Sequence, residues 1–428
     1  MRNYSKGRKD KFAELKNNHV LVIGAGISGI ASALELVNSG LSVYLIEKEA
    51  TVGGYAASFC CKATDVCSKC SVCVVPPKIE EALIHPQISL LTNSTVEKIS
   101  GEVGNFRVEI TQKPQYIDAE RCITCGLCAE VCPSEPKAIL APLAEAAPYS
   151  YVLDETCCLR SKGEDCNLCR ERCPTNAIDF KSKPKRQELS VNTIIVATGF
   201  EVFNGREIGS LGYGRYPNIL TGLDLERIFN REGSLKLSSN GKELQKIAFI
   251  QCVGSRNEEH CYCSQVCCKY AMRFARLIKY QNPNAAVTIF YIDLQTAGKG
   301  FAEFYEECKE SIRFIRGVPV EILEAHPSGL EVKFENILEG KVNRETFDLV
   351  VLSVGMVPRK NSWDLARILG INLGDEGFFG SKPLDSTETN VEGIFLAGAC
   401  QGPKDIPSSI AHGMSAAKRT MEVWAKCK

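Results

Sequence analysis

Closely spaced cysteines are the residues of this chain best suited to chemistry. The sequence holds 22 cysteines in 428 residues, and five of them lie in residues 251–268, QCVGSRNEEHCYCSQVCC. Thiolates at such spacing bind metal in a reducing compartment and form disulfides in an oxidising one. The polar, basic residues 1–18 lack the apolar core of a signal peptide. We therefore predict a cytoplasmic protein whose clustered cysteines bind metal.

Two cysteine runs, each ending in Cys-Pro, have the spacing of a two-cluster bacterial ferredoxin, although the second run is altered. In such pairs the fourth cysteine of each run binds the other cluster. The predicted ligands of one [4Fe-4S] cluster are Cys122, Cys125, Cys128 and Cys173. Those of the other are Cys132, Cys166 and Cys169, with either Cys157 or Cys158 as the fourth. Zinc also binds paired cysteines, but the Cys-Pro endings favour iron–sulfur clusters.

A further group of cysteines lies between residues 60 and 73. Cys67, Cys70 and Cys73 are each separated by two residues, and either Cys60 or Cys61 would supply a fourth ligand. Such a set can surround one iron–sulfur cluster. Two alternatives remain open: only some of these cysteines bind metal, or a partner protein completes the site.

The elements that must position this chemistry begin with a dinucleotide-binding unit. An apolar strand runs into Gly24, Gly26 and Gly29, a helix follows, and a second strand ends at Glu47. The predicted strand, helix and second strand cover residues 19–23, 30–39 and 42–46. The glycines bring the backbone close to a pyrophosphate at the helix N-terminus, and Glu47 is placed to bind a ribose hydroxyl.

Later motifs favour FAD over NAD. Gly53 and Gly54 resemble the second glycine pair of flavoproteins that have two dinucleotide-binding domains. The segments that end in Thr198-Gly199 and Gly398-Ala399 resemble the same superfamily. Ala399 stands where an aspartate usually binds the ribityl chain, so that contact must come from elsewhere.

Alternating strand and helix patterns predict an α/β fold with two dinucleotide-binding-type domains and a ferredoxin-type α+β insertion. The predicted units are a basic leader (1–18), an FAD-binding domain (19–112, 188–240 and 357–428), the insertion (113–187) and a second α/β domain (241–356). The net charge is zero, so nucleic acid is not an expected partner. No apolar run reaches the ~18 residues that predict a membrane span.

The sequence resembles the HdrA family, the iron–sulfur flavoproteins of heterodisulfide reductase and their relatives in sulfate reducers and sulfur oxidisers. The resemblance is carried by residues 251–256, 262–264, 266–268, 290–293, 314–317 and 397–407. It implies a thioredoxin-reductase-like core that binds FAD and passes electrons to clusters within a multisubunit complex. It also implies a cluster on Cys252, Cys263, Cys267 and Cys268, which leaves Cys261 as a spare neighbour.

The motifs and the resemblance together give a set of expected FAD contacts. They are Gly24, Gly26, Ser28, Gly29, Glu47, Lys48, Gly53, Gly54, Val96, Ala197, Thr198, Gly199, Gly398, Ala399, Gln401, Lys404, Asp405, Ile406 and Ser408. Arg273 departs from the family pattern, in which we expect a lysine facing the flavin. Arginine donates hydrogen bonds through a planar guanidinium, so flavin N5 would face a different hydrogen-bonding partner than a lysine. This difference bears on whether the complex bifurcates electrons. The group between residues 60 and 73 is richer in cysteine than the family pattern, and its expected ligands are Cys61, Cys67, Cys70 and Cys73.

The implied partners are other subunits of a heterodisulfide-reductase-like or quinone-interacting complex, with ferredoxin or a hydrogenase or dehydrogenase module as electron partner. The resemblance further implies a homodimer within that complex, and membrane contact only through partner subunits. A stand-alone NAD(P)H-dependent oxidoreductase is the alternative. That alternative needs a glycine-rich turn after the strand at 246–250, where the sequence supplies only Gly254. A scaffold without redox function is a third interpretation.

Overall fold

The computed structural model describes residues 18–142, 149–235, 244–295, 298–326, 328–383 and 386–426. The predicted basic leader up to residue 17 and Cys427 lie outside these ranges. The strands are β1 (His19–Ile23), β2 (Ser42–Ile46), β3 (Ile88–Leu91), β4 (Ser94–Ser100), β5 (Phe106–Gln112), β6 (Ile139–Leu140), β7 (Val152–Leu153), β8 (Lys185–Val191), β9 (Thr193–Val196), β10 (Glu201–Val202), β11 (Ile219–Thr221), β12 (Lys246–Val253), β13 (Ala286–Tyr291), β14 (Arg313–Arg316), β15 (Pro319–Glu324), β16 (Leu330–Asn336), β17 (Lys341–Phe347), β18 (Leu349–Val354), β19 (Met356–Val357) and β20 (Ile394–Leu396). The helices are α1 (Ile27–Asn38), α2 (Val75–Ile84), α3 (Leu127–Glu130), α4 (Leu168–Arg172), α5 (Gly222–Glu232), α6 (Cys267–Gln281), α7 (Phe301–Lys309), α8 (Ser362–Leu369) and α9 (Ile406–Lys426).

A parallel sheet in the order β20-β9-β1-β2-β3 forms the centre of the first domain. Both of its faces are covered, which explains why its strands are short, almost continuous apolar runs. Val20 and Val22 pack beneath α1 and α9, while Leu21 and Ile23 face a second core shared with β5 and α8. The carboxyl end of the central strand β1 therefore leads directly to the N-terminus of α1.

The insertion begins and ends on two paired strands of the antiparallel sheet β4-β5-β8. Gln112 at the end of β5 is the register partner of Lys185 at the start of β8. The insertion has a small core of its own, in which Ile117, Ile139 and Ile178 surround several cysteines. The two attachment points hold this module against the first domain.

The second domain repeats the architecture of the first. Its parallel sheet has the order β11-β18-β12-β13-β14, and an antiparallel sheet of β15, β16 and β17 follows β14. The central strand β12 thus occupies the place that β1 has in the first domain. The end of β12 is consequently the position where a second dinucleotide turn belongs.

The predicted boundary between these domains at residues 240 and 241 is wrong. Strand β11 pairs in parallel with β18, so Ile219–Thr221 and the helix α5 after it belong to the second domain. The two domains are joined by β10 and β19, which pair with each other in antiparallel fashion. A three-residue strand whose partner comes much later in the chain has no local sequence signal, which explains the error.

Candidate functional site

The glycine turn after β1 is shaped as the dinucleotide fingerprint requires. Gly24 has φ +106°, and a Cβ there would lie 2.4 Å from the carbonyl oxygen of Ala197. A Cβ on Gly29 would lie 1.9 Å from the carbonyl oxygen of Gly24. A Cβ on Gly26 would have no atom of the described residues within 4 Å. The first and third glycines are therefore needed for packing, and the second leaves open space at the N-terminus of α1.

Glu47 braces this turn. Its carboxylate accepts hydrogen bonds from the backbone N–H of Ala25 at 2.8 Å and of Glu49 at 3.0 Å. Burial raises the pKa of Glu47, and the two N–H groups oppose that rise. The structure thus gives Glu47 a role in holding the backbone, beside the ribose contact predicted for it.

A cavity of about 700 Å³ extends from the glycine turn to the face of the second domain. The expected FAD contacts that line it are Gly24, Gly26, Ser28, Glu47, Lys48, Gly53, Gly54, Val96, Ala197, Thr198, Gly199, Ala399, Lys404, Asp405 and Ile406. A cavity that combines an open helix N-terminus, a glycine turn and apolar walls suits a dinucleotide. The residues present therefore fit FAD.

Four of the expected contacts lie off this cavity: Gly29, Gly398, Gln401 and Ser408. Gly398 packs against Ser28, since a Cβ there would lie 2.3 Å from Ser28 Oγ. The side-chain amide of Gln401 donates to Ser381 Oγ and to the carbonyl of Ser386, each at 2.7 Å. The backbone N–H of Ser408 donates to Asp405 Oδ1 at 3.0 Å, and Ser409 lines the cavity instead. These four residues therefore lie behind the residues that line the cavity.

Arg273 lines the cavity, but its guanidinium is bonded to the cysteine-rich loop. Its Nε donates to the carbonyl of Ser68 at 2.9 Å and its Nη2 to the carbonyl of Lys69 at 3.0 Å. Burial lowers the pKa of Arg273, and the nearby Cys70 and Cys67 oppose that change. Two N–H donors of Arg273, which was predicted to face the flavin, therefore hold residues 67–70 at the cavity. Cys70 is one of the residues that line the cavity.

The cysteines between residues 60 and 73 do not share one environment. Cys60 is buried in the core of the second domain, and its backbone N–H donates to Glu226 Oε2 at 2.8 Å. Burial raises the pKa of the Cys60 thiol, and the adjacent Glu226 raises it further. Cys61, Cys67 and Cys73 are exposed and Cys70 is half-buried. Of the two alternatives for a fourth ligand, Cys61 is the one on the accessible side.

A buried ion pair beside the cavity was missed at the sequence level. Lys62 Nζ lies 2.6 Å from Glu226 Oε1, and the two side chains are 3% and 7% exposed. The same ammonium donates to the carbonyl of Cys60 at 2.9 Å and lies 4.7 Å from the ring centroid of Phe274. This pair joins the first domain to α5 of the second. Nothing in the local sequence around either residue indicates its partner.

In the insertion, a small cavity brings together one of the two predicted ligand sets. Its lining includes Cys132, Cys158, Cys166 and Cys169. Cys157 lies outside that lining, half-buried, with its Sγ 3.7 Å from Thr156 Oγ1. Of the two alternatives that the sequence left open, Cys158 is the residue that lies beside the other three thiols.

In the other predicted set of the insertion, cysteines of the two runs affect one another. Burial raises the pKa of Cys128, and the neighbouring Cys122 and Cys173 thiolates add to the rise. Cys173, from the second run, thus lies beside two cysteines of the first. Its Sγ also accepts a hydrogen bond from the backbone N–H of Ala177 at 3.3 Å.

At the end of β12, the four cysteines implied by the resemblance affect one another's pKa. Burial raises the pKa of Cys252 to about 11, and the nearby Cys268 and Cys263 thiolates contribute. Cys267 has its pKa raised by burial and by the other three. Cys261 is exposed. Buried thiols that oppose each other's ionisation need a cationic partner to become thiolates, so these residues fit a metal cluster.

No group of three or more His, Cys, Asp or Glu in the described part of the chain is close enough to hold a single metal ion. A four-iron cluster binds each thiolate at a different iron, so its ligands stand farther apart than those of one ion. In the same part of the chain, no helix is long and apolar enough to cross a membrane.

Comparison with known proteins defines the class. Residues 22–67 match the NAD(P)-binding Rossmann-like domain family, and residues 116–136 match the 4Fe-4S binding domain family. Thioredoxin reductase from T. acidophilum covers 96% of this chain with 100% of its own, at a TM-score of 0.53 and 14% identity. The protein therefore has the two-domain thioredoxin-reductase fold with a ferredoxin-type insertion, which confirms the predicted fold class.

Within that class, the chain is similar over nearly its whole length to subunits A of heterodisulfide reductases, as the sequence predicted. It is 43% identical over 95% of its length to one of the HdrA iron–sulfur subunits of the CoB–CoM heterodisulfide reductase of Methanopyrus kandleri. It is 39% identical over 94% of its length to the HdrA subunit of the "H(2):CoB-CoM heterodisulfide,ferredoxin reductase" of Methanothermobacter thermautotrophicus. The chain spans 64% and 63% of the lengths of these two relatives.

Proposed function

We propose that the protein is an FAD- and [4Fe-4S]-containing electron-transfer subunit of a heterodisulfide-reductase-like complex. One observation carries the proposal: cysteines occupy the end of β12, where a second dinucleotide turn belongs. Val266, next to Cys267, and Val354, whose carbonyl lies 3.8 Å from Cys267 Sγ, both line the cavity of the glycine turn. A cluster there would therefore adjoin the flavin directly.

When bound, FAD would exchange electrons in pairs or singly, and the clusters would carry single electrons. The chain's own residues would position the flavin and the cysteines. The glycine turn and the N-terminus of α1 would hold the pyrophosphate. The Lys62–Glu226 pair fixes the second domain against the first. Arg273 holds the loop of Cys67 and Cys70 at the cavity.

We assign three clusters to the residue sets described above. They are Cys122, Cys125, Cys128 and Cys173; Cys132, Cys158, Cys166 and Cys169; and Cys252, Cys263, Cys267 and Cys268. A fourth cluster on Cys61, Cys67, Cys70 and Cys73 is supported by the position of Cys70 on the cavity wall and by the exposure of the other three. Their exposure also leaves room for a partner protein to cover that site.

The names of the relatives support other reductase subunits as partners. The names of these homologues describe them as subunits of reductases, and one from Methanosarcina acetivorans is called "Ferredoxin/F(420)H(2)-dependent". We propose that partner subunits carry out the disulfide, thiol or quinone chemistry while this chain carries electrons between them. A low-potential donor such as ferredoxin would supply those electrons.

Anaerobically purified protein tests this function. Three clusters require about 12 iron and 12 sulfide atoms per chain, and four require about 16 of each. We expect the flavin to be reduced by a low-potential one-electron donor such as reduced ferredoxin, and only slowly by NADH or NADPH. Rapid bleaching of the flavin by NADPH alone would instead support a stand-alone reductase.

Replacing Cys158 with serine should remove one of the two clusters in the insertion. We expect a loss of about four iron atoms per chain, because the cluster on the other three thiols of that set loses a ligand. The matched variant Cys157→Ser should retain full iron content. Iron and sulfide analysis of both variants, normalised to bound flavin, measures the difference. Equal losses in both variants, or a loss confined to Cys157→Ser, would contradict the assignment.

A further inference from the structure

Gln251, immediately before Cys252, has a buried side-chain amide without a hydrogen-bond partner among the described residues. It is 2% exposed, and neither its Oε1 nor its Nε2 has a hydrogen-bond partner among the described residues. Leaving both polar atoms of a buried amide unpaired is unfavourable. Such a group is therefore expected to bond to something that the polypeptide itself does not supply.

The position of Gln251 on β12 shows where that partner lies. Phe249, two residues earlier, packs in the same core as Cys268, so alternation along the strand places Gln251 on the same face. The register with β18 shifts between Ile250 and Val253, and Cys252 within the shift has φ +61°. Gln251 therefore lies directly before Cys252 on the face of β12 that α6 covers, and the first turn of α6 holds Cys267 and Cys268.

A charged group beside these cysteines, Arg256, already has a carboxylate partner. Arg256 pairs with Asp293 through both of its terminal nitrogens, with Nη2 3.0 Å from Asp293 Oδ2. Its guanidinium is also close to Cys252, whose pKa it lowers against the larger effect of burial. The charge of Arg256 is balanced by Asp293, and the backbone N–H of Gln265 already donates to Cys263 Sγ at 3.3 Å. The amide of Gln251 is a further neutral donor, and it has no partner among the described residues.

We infer that Gln251 Nε2 donates a hydrogen bond to sulfur of the cluster held by Cys252, Cys263, Cys267 and Cys268, and so sets its reduction potential. This inference rests on the cluster assignment made under the proposed function. Reduction adds one electron from the reduced flavin to the cluster and breaks no bond, so the negative charge on its sulfurs increases. An N–H donor stabilises the more negative form and raises the potential.

The test compares Gln251→Met, which removes the donor at similar length, with Gln251→Glu, which replaces the donor by an acceptor. Holoprotein of each variant is titrated with dithionite and followed by electron paramagnetic resonance. The component that disappears in Cys267→Ser identifies the second-domain cluster. We expect that component alone to shift to lower potential in Gln251→Met and further in Gln251→Glu.

The matched control is Thr193→Val, which removes another buried polar group without a partner among the described residues, but on β9 of the first domain. It should leave every potential unchanged. An unchanged second-domain component in both Gln251 variants would overturn the inference, as would an equal shift of all components. If Cys267→Ser removed no component and no iron, the cluster assignment itself would fail, which is a different result.

Discussion

Flavin is expected to be lost when Gly29 is replaced with alanine. The added Cβ would lie 1.9 Å from the carbonyl oxygen of Gly24, a backbone atom that cannot rotate away. The start of α1 must therefore move off the turn, and the N–H groups that face the pyrophosphate move with it. Overpacking of about 1–3 kcal/mol corresponds to a loss in FAD affinity of roughly 5- to 150-fold. The ratio of flavin absorbance to protein and a titration of apoprotein with FAD measure the loss.

Gly209→Ala is the matched control for this variant. A Cβ on Gly209 would meet no atom of the described residues within 4 Å, and the residue lies in a short helical turn away from the cavity. It should retain FAD at the level of the unaltered protein. A Gly29→Ala protein with unchanged FAD affinity would show that the turn does not bind the pyrophosphate as described.

Replacing Glu226 with glutamine should destabilise the protein more than any other single change at the domain interface. Lys62 would keep its charge at 3% exposure without a carboxylate partner, and breaking a buried pair costs about 3–5 kcal/mol. The backbone N–H of Cys60 would also lose a charged acceptor. The midpoint of the urea transition that releases flavin, followed by flavin fluorescence, should fall.

Two comparisons separate this effect from a general loss of charge. Replacing both residues, as Lys62→Met with Glu226→Met, should restore part of the stability because no unpaired charge remains. The recovery is incomplete because the backbone N–H and carbonyl of Cys60 lose their partners. Glu388→Gln removes the carboxylate of a half-exposed pair with Arg419 and should cost less than about 1 kcal/mol. A urea midpoint that falls equally in Glu226→Gln and Glu388→Gln would show that burial of the first pair has no special importance.

The parts predicted correctly from the sequence are those whose cause is local. The Gly24 turn depends on residues a few positions apart, because strand, glycines and helix must follow one another to make the phosphate-binding backbone. The fold class follows from such units and from the Cys-Pro runs. The spacing rule for two-cluster ferredoxins, in which the runs exchange their fourth ligands, also predicted Cys132 near Cys166, and the two line one small cavity.

The parts that were missed depend on contacts between distant segments. Strand β11 is three residues long and is held by β18, so its own sequence does not reveal its domain. Lys62 and Glu226 meet only because the two domains face each other. The choice between Cys157 and Cys158 depends on how one turn is oriented, and neighbouring identical residues carry no signal about that.

The paired ends of the insertion also affect how the chain folds. Strands β5 and β8 can pair only after the whole of residues 113–184 has been closed into a loop, and the entropy cost of closure rises by about 0.6 kcal/mol for each doubling of length. If the insertion folds around its clusters first, its two ends are already close together, and the entropy cost of closing the loop has been met before β5 and β8 pair. Because metal binding by such a module is also its folding, cluster assembly and formation of the antiparallel sheet beside the flavin become thermodynamically coupled. With the clusters proposed above, the supply of iron would affect the stability of a sheet that contains none of the proposed metal ligands.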